Sequence, residues 1–155
     1  MKILKMAVGN NEEAYIEDSF SDGINILISD DNNKGKTIVI QSIMYALGNK
    51  PIFPDTFNYK DFYYYVEIEE NNERIKVLRV GDSFIVHNDG GMKLFESLSE
   101  FKHFWDENVT LLPRIEVRGE KKIVDMELFF QLFFVPQDSK DTANIFNPGY
   151  YNKGE

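Results

Sequence analysis

The stretch Ser29-Asp30-Asp31-Asn32-Asn33-Lys34-Gly35-Lys36-Thr37 holds the residue types that grip a polyphosphate. Successive backbone N–H groups at a helix N-terminus face the phosphate oxygens, and a glycine without Cβ lets the backbone come close. Asn32, Asn33, Lys34, Gly35 and Lys36 are the candidates for that cradle. Lys36 would reach the β- and γ-phosphates, and the Thr37 hydroxyl would ligate Mg2+. The general pattern opens with glycine, and Asp30 holds that position here. Aspartate tolerates left-handed backbone better than most residues. Its carboxylate is unfavourable beside phosphate unless it points away. The loop is therefore either a working variant or a weakened one.

Gly-Lys-Thr strings also occur by chance in polar turns, so the flanking elements decide the weight of this one. Ile24-Asn25-Ile26-Leu27-Ile28 follows the turn Ser21-Asp22-Gly23 and reads as a short buried strand. After the loop, Ile40, Ile43, Met44 and Leu47 fall on one face of a helix spanning 36–47. Gly48 is placed to end it, with Pro51 just beyond. A strand before and a helix after is the setting that a phosphate loop requires.

Around this unit the chain alternates strands and helices. Residues 2–8 and 14–20 read as strands. So do 62–69, 74–80 and 83–87, separated by Asn71-Asn72 and Gly81-Asp82, which are turn signals for an antiparallel meander. Asp89-Gly90-Gly91 is a further turn. Ser97 with Glu100 forms a capping box for a helix carrying Leu98, Phe101, Phe104 and Trp105. Residues 109–117 hold a short strand interrupted at Pro113, and Asp125 caps an apolar helix over 126–134 that stops near Pro136. No linker divides the chain, so residues 1–155 are expected to form a single α/β (mixed α+β) domain.

Composition narrows the function. With 155 residues, 43% of them hydrophobic, the chain can build a packed core. Thirteen Phe and eight Tyr suit strands and leave some aromatics for a partner. The absence of cysteine excludes disulfides and thiolate metal sites. His87 and His103 stand far apart and read as ordinary strand and helix residues. A net charge of −9 disfavours direct nucleic-acid binding by this chain. No window holds the roughly 20 apolar residues that a membrane helix needs, and no cleavage signal opens the chain. The default expectations are no membrane and a cytoplasmic location. Lys121-Lys122 and the acidic stretch 67–73 read as solvated strand edges and turns.

At this point the residues resemble a known group. Gly23 to Ile28, Asn32-Asn33-Lys34-Gly35-Lys36-Thr37 and Ile43-Met44-Tyr45-Ala46-Leu47-Gly48 look like the opening of SMC, RecN and RecF-type ABC ATPases. Those begin with a strand pair, a G-x-N-x-x-G-K-S/T Walker A loop and a helix ending in a Y-A-L-G-like string. The likeness is specific over about the first third of the chain. It implies the N-terminal lobe of an ABC-type ATPase head, a partial P-loop NTPase core with an antiparallel β-meander subdomain. The Walker A loop would be residues 29–37. Phe133-Phe134-Val135-Pro136-Gln137-Asp138 resembles the family's Q-loop, over about 135–138, and makes Gln137 a candidate Mg2+ ligand beside Thr37. Gln131 is a rival within the predicted helix. The resemblance implies ATP and Mg2+ as ligands and two heads closing over the nucleotide as a homodimer. It implies DNA contact only through a longer protein.

The same resemblance shows what is missing. No Leu-Ser-Gly-Gly signature string occurs, and the only apolar run ending in aspartate, Ile26 to Asp30, leads straight into the loop. In that family the signature motif, Walker B and catalytic glutamate come from a C-terminal lobe of the same protein. The chain is thus expected to be a piece of a longer ATPase. It would bind nucleotide without hydrolysing it, and it would carry no catalytic residue of its own. Two other readings stand beside this one. A self-sufficient kinase or GTPase would need a second metal-binding Asp and a base-recognition string, and neither is found. A non-catalytic regulatory or assembly module with a degenerate loop is compatible with Asp30. Tyr15 is a possible adenine contact, with a core or surface role the alternative.

Overall fold

The computed structural model describes residues 1–28, 30 and 35–131. Its centre is a six-stranded antiparallel sheet in the order β2-β1-β3-β4-β5-β6. The strands are β1 Lys2–Gly9, β2 Ala14–Glu17, β3 Tyr63–Glu70, β4 Glu73–Val80, β5 Ser83–Asn88 and β6 Gly91–Phe95. Tight turns set this meander. Asn71 and Asn72, at φ 52 and 65, supply the paired left-handed residues of a two-residue hairpin, and Gly81 at φ 59 turns the next one.

Alternation along the strands sends Met6, Tyr64, Val66, Ile68, Ile75, Val77, Phe84 and Val86 to one face, where all are buried. Each large apolar side chain buried there contributes about 1.5–3 kcal/mol. Two helices cover that face. The helix α1, Lys36–Ala46, packs on β1, β3 and β4, and α2, Leu98–Asn108, packs on β5 and β6. The rings of Phe84 and Phe101 stack 4.2 Å apart at the second contact. A short hairpin, β7 Arg114–Val117 with β8 Glu120–Ile123, precedes α3, Met126–Gln131. No helix of the described residues is long and apolar enough to cross a membrane.

Local chemistry fixes the helix ends. Gly48 has φ 100, its N–H bonds to Tyr45 O at 3.1 Å, and Asn49 N–H bonds to Met44 O at 3.0 Å. This is the paired Schellman closure that a left-handed residue permits. Ser97 Oγ accepts the Glu100 N–H at 3.3 Å, as expected. The Glu100 carboxylate takes the N–H of Glu96 at 2.9 Å, one residue upstream of the usual capping-box partner.

Several expectations are corrected. The run Ile24 to Ile28 is not a buried strand. It has no strand assignment, and Ile24, Ile26 and Ile28 are 89%, 76% and 79% exposed. A buried strand needs a neighbour on each edge and a cover on each face. Among the described residues no strand pairs with this segment, which lies along α1 with Leu27 turned toward Val39. The second strand stops at Glu17, whose carboxylate turns the chain by accepting the Ser19 N–H at 2.9 Å. Ile40, expected on the buried face of α1, is exposed, while Gln41 and Ser42 are buried. Strands β6 and β8 were not foreseen. Pro113 precedes β7, so no strand runs through 109–113.

Candidate functional site

The phosphate-loop candidates meet the structure at the start of α1. Gly35 is the N-cap, left-handed at φ 76 and ψ 9, and no acidic residue stands in the first turn. An ideal Cβ at Gly35 would meet nothing within 4 Å. Among the described residues nothing crowds this position, and α1's dipole puts partial positive charge there. Lys36 and Thr37 are the first two residues of α1. Asn32, Asn33, Lys34 and Gln137 lie outside the described residues, as does the 135–138 segment. Gln131 is the last residue of α3. Asp30 is exposed.

Gly35 and Lys36 share a cleft of about 360 Å3 with Val8, Tyr15, Leu27, Ile28, Ile38 and Val39. Strand β1 positions Val8. The partner strand β2 places Tyr15 directly opposite Val8. The end of the uncovered isoleucine run supplies Leu27 and Ile28. A turn fixes where that run starts, since Asn25 Oδ1 accepts the Ser21 N–H at 2.8 Å while Asn25 Nδ2 donates to Ser21 O at 3.0 Å. A second opening, of about 220 Å3, continues past Tyr15 and Ile38 to Phe57 and Phe62. Val8, Leu27 and Ile38 were missed as lining residues. The inward alternation of Met6 and Val8 was the signal that could have found Val8.

Tyr15 donates to Glu17 Oε2 at 3.2 Å. Partial burial, with the Glu17 carboxylate beside it, holds its phenol above the usual tyrosine range. Glu17 in turn is held below the ordinary carboxylate range, chiefly by the Ser19 hydroxyl and then by the Ser19 N–H. The arrangement keeps Tyr15 neutral at physiological pH, with its ring at the cleft. Among the described residues no Asp or Glu lines this cleft. Nor do three or more His, Asp or Glu gather to hold a metal ion. His87 and His103 are exposed strand and helix residues. What the described residues offer is a helix N-terminus, a lysine and apolar walls, which suits anion binding beside a flat apolar group.

A mixed α/β domain with an antiparallel sheet and a cleft at the N-terminus of its first helix is the class that fold and site define. No family model matches the chain. Over 127 residues, 81% of this chain, it is 26% identical to Lamassu protein LmuB of Bacillus cereus (strain VD014). Over 77 residues, 49% of the chain, it is 34% identical to Lamassu protein LmuB of Bacillus sp. strain NCIM 5461. The matched stretches span 22% and 14% of the lengths of those two proteins.

Proposed function

We propose that this chain is the ATP-binding N-terminal lobe of an SMC-like ATPase head, which holds Mg-ATP through a variant Walker A loop. Hydrolysis then requires a C-terminal lobe that carries the signature motif and Walker B. The observation that carries the reading is the left-handed Gly35 at the N-terminus of α1, next to Lys36 at a cleft. The residues fit the ligand. Gly35 carries no Cβ, and no described side chain crowds the place where one would stand. Lys36 contributes the cation, and Thr37 is the residue that would hold Mg2+. Bound nucleotide would supply the phosphoryl group. The chain's own share is to bind and orient it. Tyr15, Val8 and Ile38 form an apolar wall suited to an adenine ring.

Two further features agree with an incomplete head. The cleft has no described carboxylate to activate water. The isoleucine run ahead of the loop is uncovered, as expected of a segment whose cover belongs to another part of the protein. The distant likeness to Lamassu LmuB is compatible with this reading, and the matched proteins are several times longer than the match.

The test is a titration of fluorescent Mg-ATP into the chain and its Lys36→Ala variant, with phosphate release followed in parallel. A lysine–phosphate contact contributes about 1.5–3 kcal/mol, so the variant should bind about 10- to 100-fold more weakly. Neither protein should release phosphate. Equal binding by the two would favour a non-catalytic module with a degenerate loop. Turnover by the isolated chain would favour a self-sufficient enzyme.

A further inference from the structure

The face of the sheet away from α1 carries one residue of each strand in a single row. Ile16, Ala7, Tyr65, Leu78, Ile85 and Leu94 are successive cross-strand partners. The row ends at Leu94 on β6, an edge strand of the sheet among the described residues. Leu94 is 62% exposed, and Met92 on the same face is 72% exposed.

The hydrogen-bonding phase of β6 follows from the turns. The two-residue turn at Gly81 and Asp82 joins Val80 to Ser83, and such hairpins close on a hydrogen-bonded pair. Bonded pairs alternate along an antiparallel ladder, so successive residues turn their backbone groups to opposite sides. Phe84, Val86 and Asn88 thus face β6, where their partners are Phe95, Lys93 and Gly91. The N–H and C=O groups of Met92 and Leu94 point outward, away from β5. Beside this edge lies an open groove of about 580 Å3, lined by Lys93 and Phe95 on β6 and by Glu100, His103 and Glu107 on α2, with the Phe95 and Phe104 rings in contact at 5.0 Å at its floor. The Lys93 ammonium lies 5.1 Å over the Phe104 ring, against the helix.

We propose that β6 and α2 form a docking site for an extended basic segment of a partner protein, which adds to the sheet as a seventh strand. Outward backbone groups select an extended strand as the occupant. Glu107 and Glu100, whose carboxylate also accepts the Glu96 N–H, outnumber the Lys93 ammonium, which is turned onto the Phe104 ring, and select lysine or arginine at the positions that face α2. Exposed Leu94 and Met92 select apolar residues at the alternate positions, which prolong the cross-strand row. The net charge of −9 acts in the same direction and disfavours a second copy of this chain.

The experiment uses the full chain without nucleotide and a fluorescein-labelled peptide of about eight residues, valine alternating with lysine. The controls are valine alternating with glutamate, and the valine–lysine composition rearranged into two blocks. The alternating basic peptide should bind about tenfold or more tightly than either control. Its binding should slow hydrogen exchange at the Met92 and Leu94 amides by about tenfold or more. Met92→Pro removes one outward N–H and no bond to β5, and should weaken binding about tenfold. Glu107→Lys, at an exposed helix position, should weaken it comparably. Equal binding of the alternating and block peptides would overturn the proposal, and so would protection confined to sites other than β6. The exchange measurement needs only the unmodified chain, so its result does not depend on a variant folding.

Discussion

The Arg79 guanidinium lies 3.6 Å from the ring centroid of Tyr45 and donates to that residue's own carbonyl oxygen at 2.7 Å. The same nitrogen donates to Asn49 O at 2.8 Å, and Nε donates to Gly81 O at 2.9 Å. Arg79 is buried in the core. A strand residue thus adds a charged donor at the end of α1, where Tyr45 O also takes the Gly48 N–H and where a cation meets the negative end of the helix dipole. It ties the β4–β5 turn to the far end of the helix that begins at Lys36.

Arg79→Ala leaves three carbonyl acceptors without this donor and opens space beside Tyr45. Tyr45 O keeps the Gly48 N–H and Gly81 O keeps the Tyr45 hydroxyl, so at about 1 kcal/mol for each of the hydrogen bonds lost, the loss should be about 3 kcal/mol in chemical denaturation. Arg79→Lys should recover only part of it, because an ammonium cannot reproduce the planar fork. Denaturation midpoints indistinguishable from the unmodified chain would show that α1 is not anchored this way.

Gly35→Ala separates backbone strain from ligand approach. No described residue beyond its chain neighbours lies within 4 Å of the added methyl, so the structural cost expected is that of the left-handed conformation, about 1–2 kcal/mol. If this turn holds the proposed phosphate, a methyl here obstructs close approach of the backbone, and Mg-ATP affinity should drop about tenfold or more. Unchanged affinity, measured by nucleotide fluorescence, would mean that this turn serves no phosphate.

The isoleucine run yields a different test. Converting Ile24, Ile26 and Ile28 together to serine should shift folding stability by less than about 1 kcal/mol, since all three are exposed. It should also lower concentration-dependent association in light scattering, because an apolar patch is removed. A loss of several kcal/mol would place these side chains in a core.

Asp106 gives a pH prediction. Both its oxygens accept from Arg114 at 2.7 Å, and Oδ1 also accepts the Leu112 N–H at 2.8 Å. The Arg114 guanidinium is the main cause that holds this carboxyl below its ordinary value of 3.8. A group whose pKa is depressed on folding stabilises the fold fully above its unfolded value, and this is lost as pH falls through the folded value. The stability gap between the unmodified chain and Asp106→Asn should be constant near neutral pH and shrink as pH falls below 3.8. Denaturation curves at stepped pH check this, and a gap that widens in acid would contradict the pairing.

What the residues themselves determined is local. Asn71-Asn72 and Gly81 fixed two hairpins, because only those residue types accept positive φ readily. Ser97 and Gly48 fixed a helix start and a helix end through capping geometry. Gly35-Lys36-Thr37 marked the start of α1 and, with it, the candidate site. The fate of Ile24 to Ile28 was not local. A short apolar run reads alike in a covered strand and in an uncovered segment, and only the positions of the other strands show that no described strand pairs with it. The role of Arg79 was equally hidden. Its place in an alternating strand predicts the inward face. What lets a guanidinium live there is the end of α1, which lies 30 or more positions away in sequence. Tyr15 and Val8 came to the Lys36 cleft by the same route, through strand pairing that brings distant segments together. Short-range conformational preference is written residue by residue, whereas burial and partnership depend on which surfaces the completed sheet leaves open.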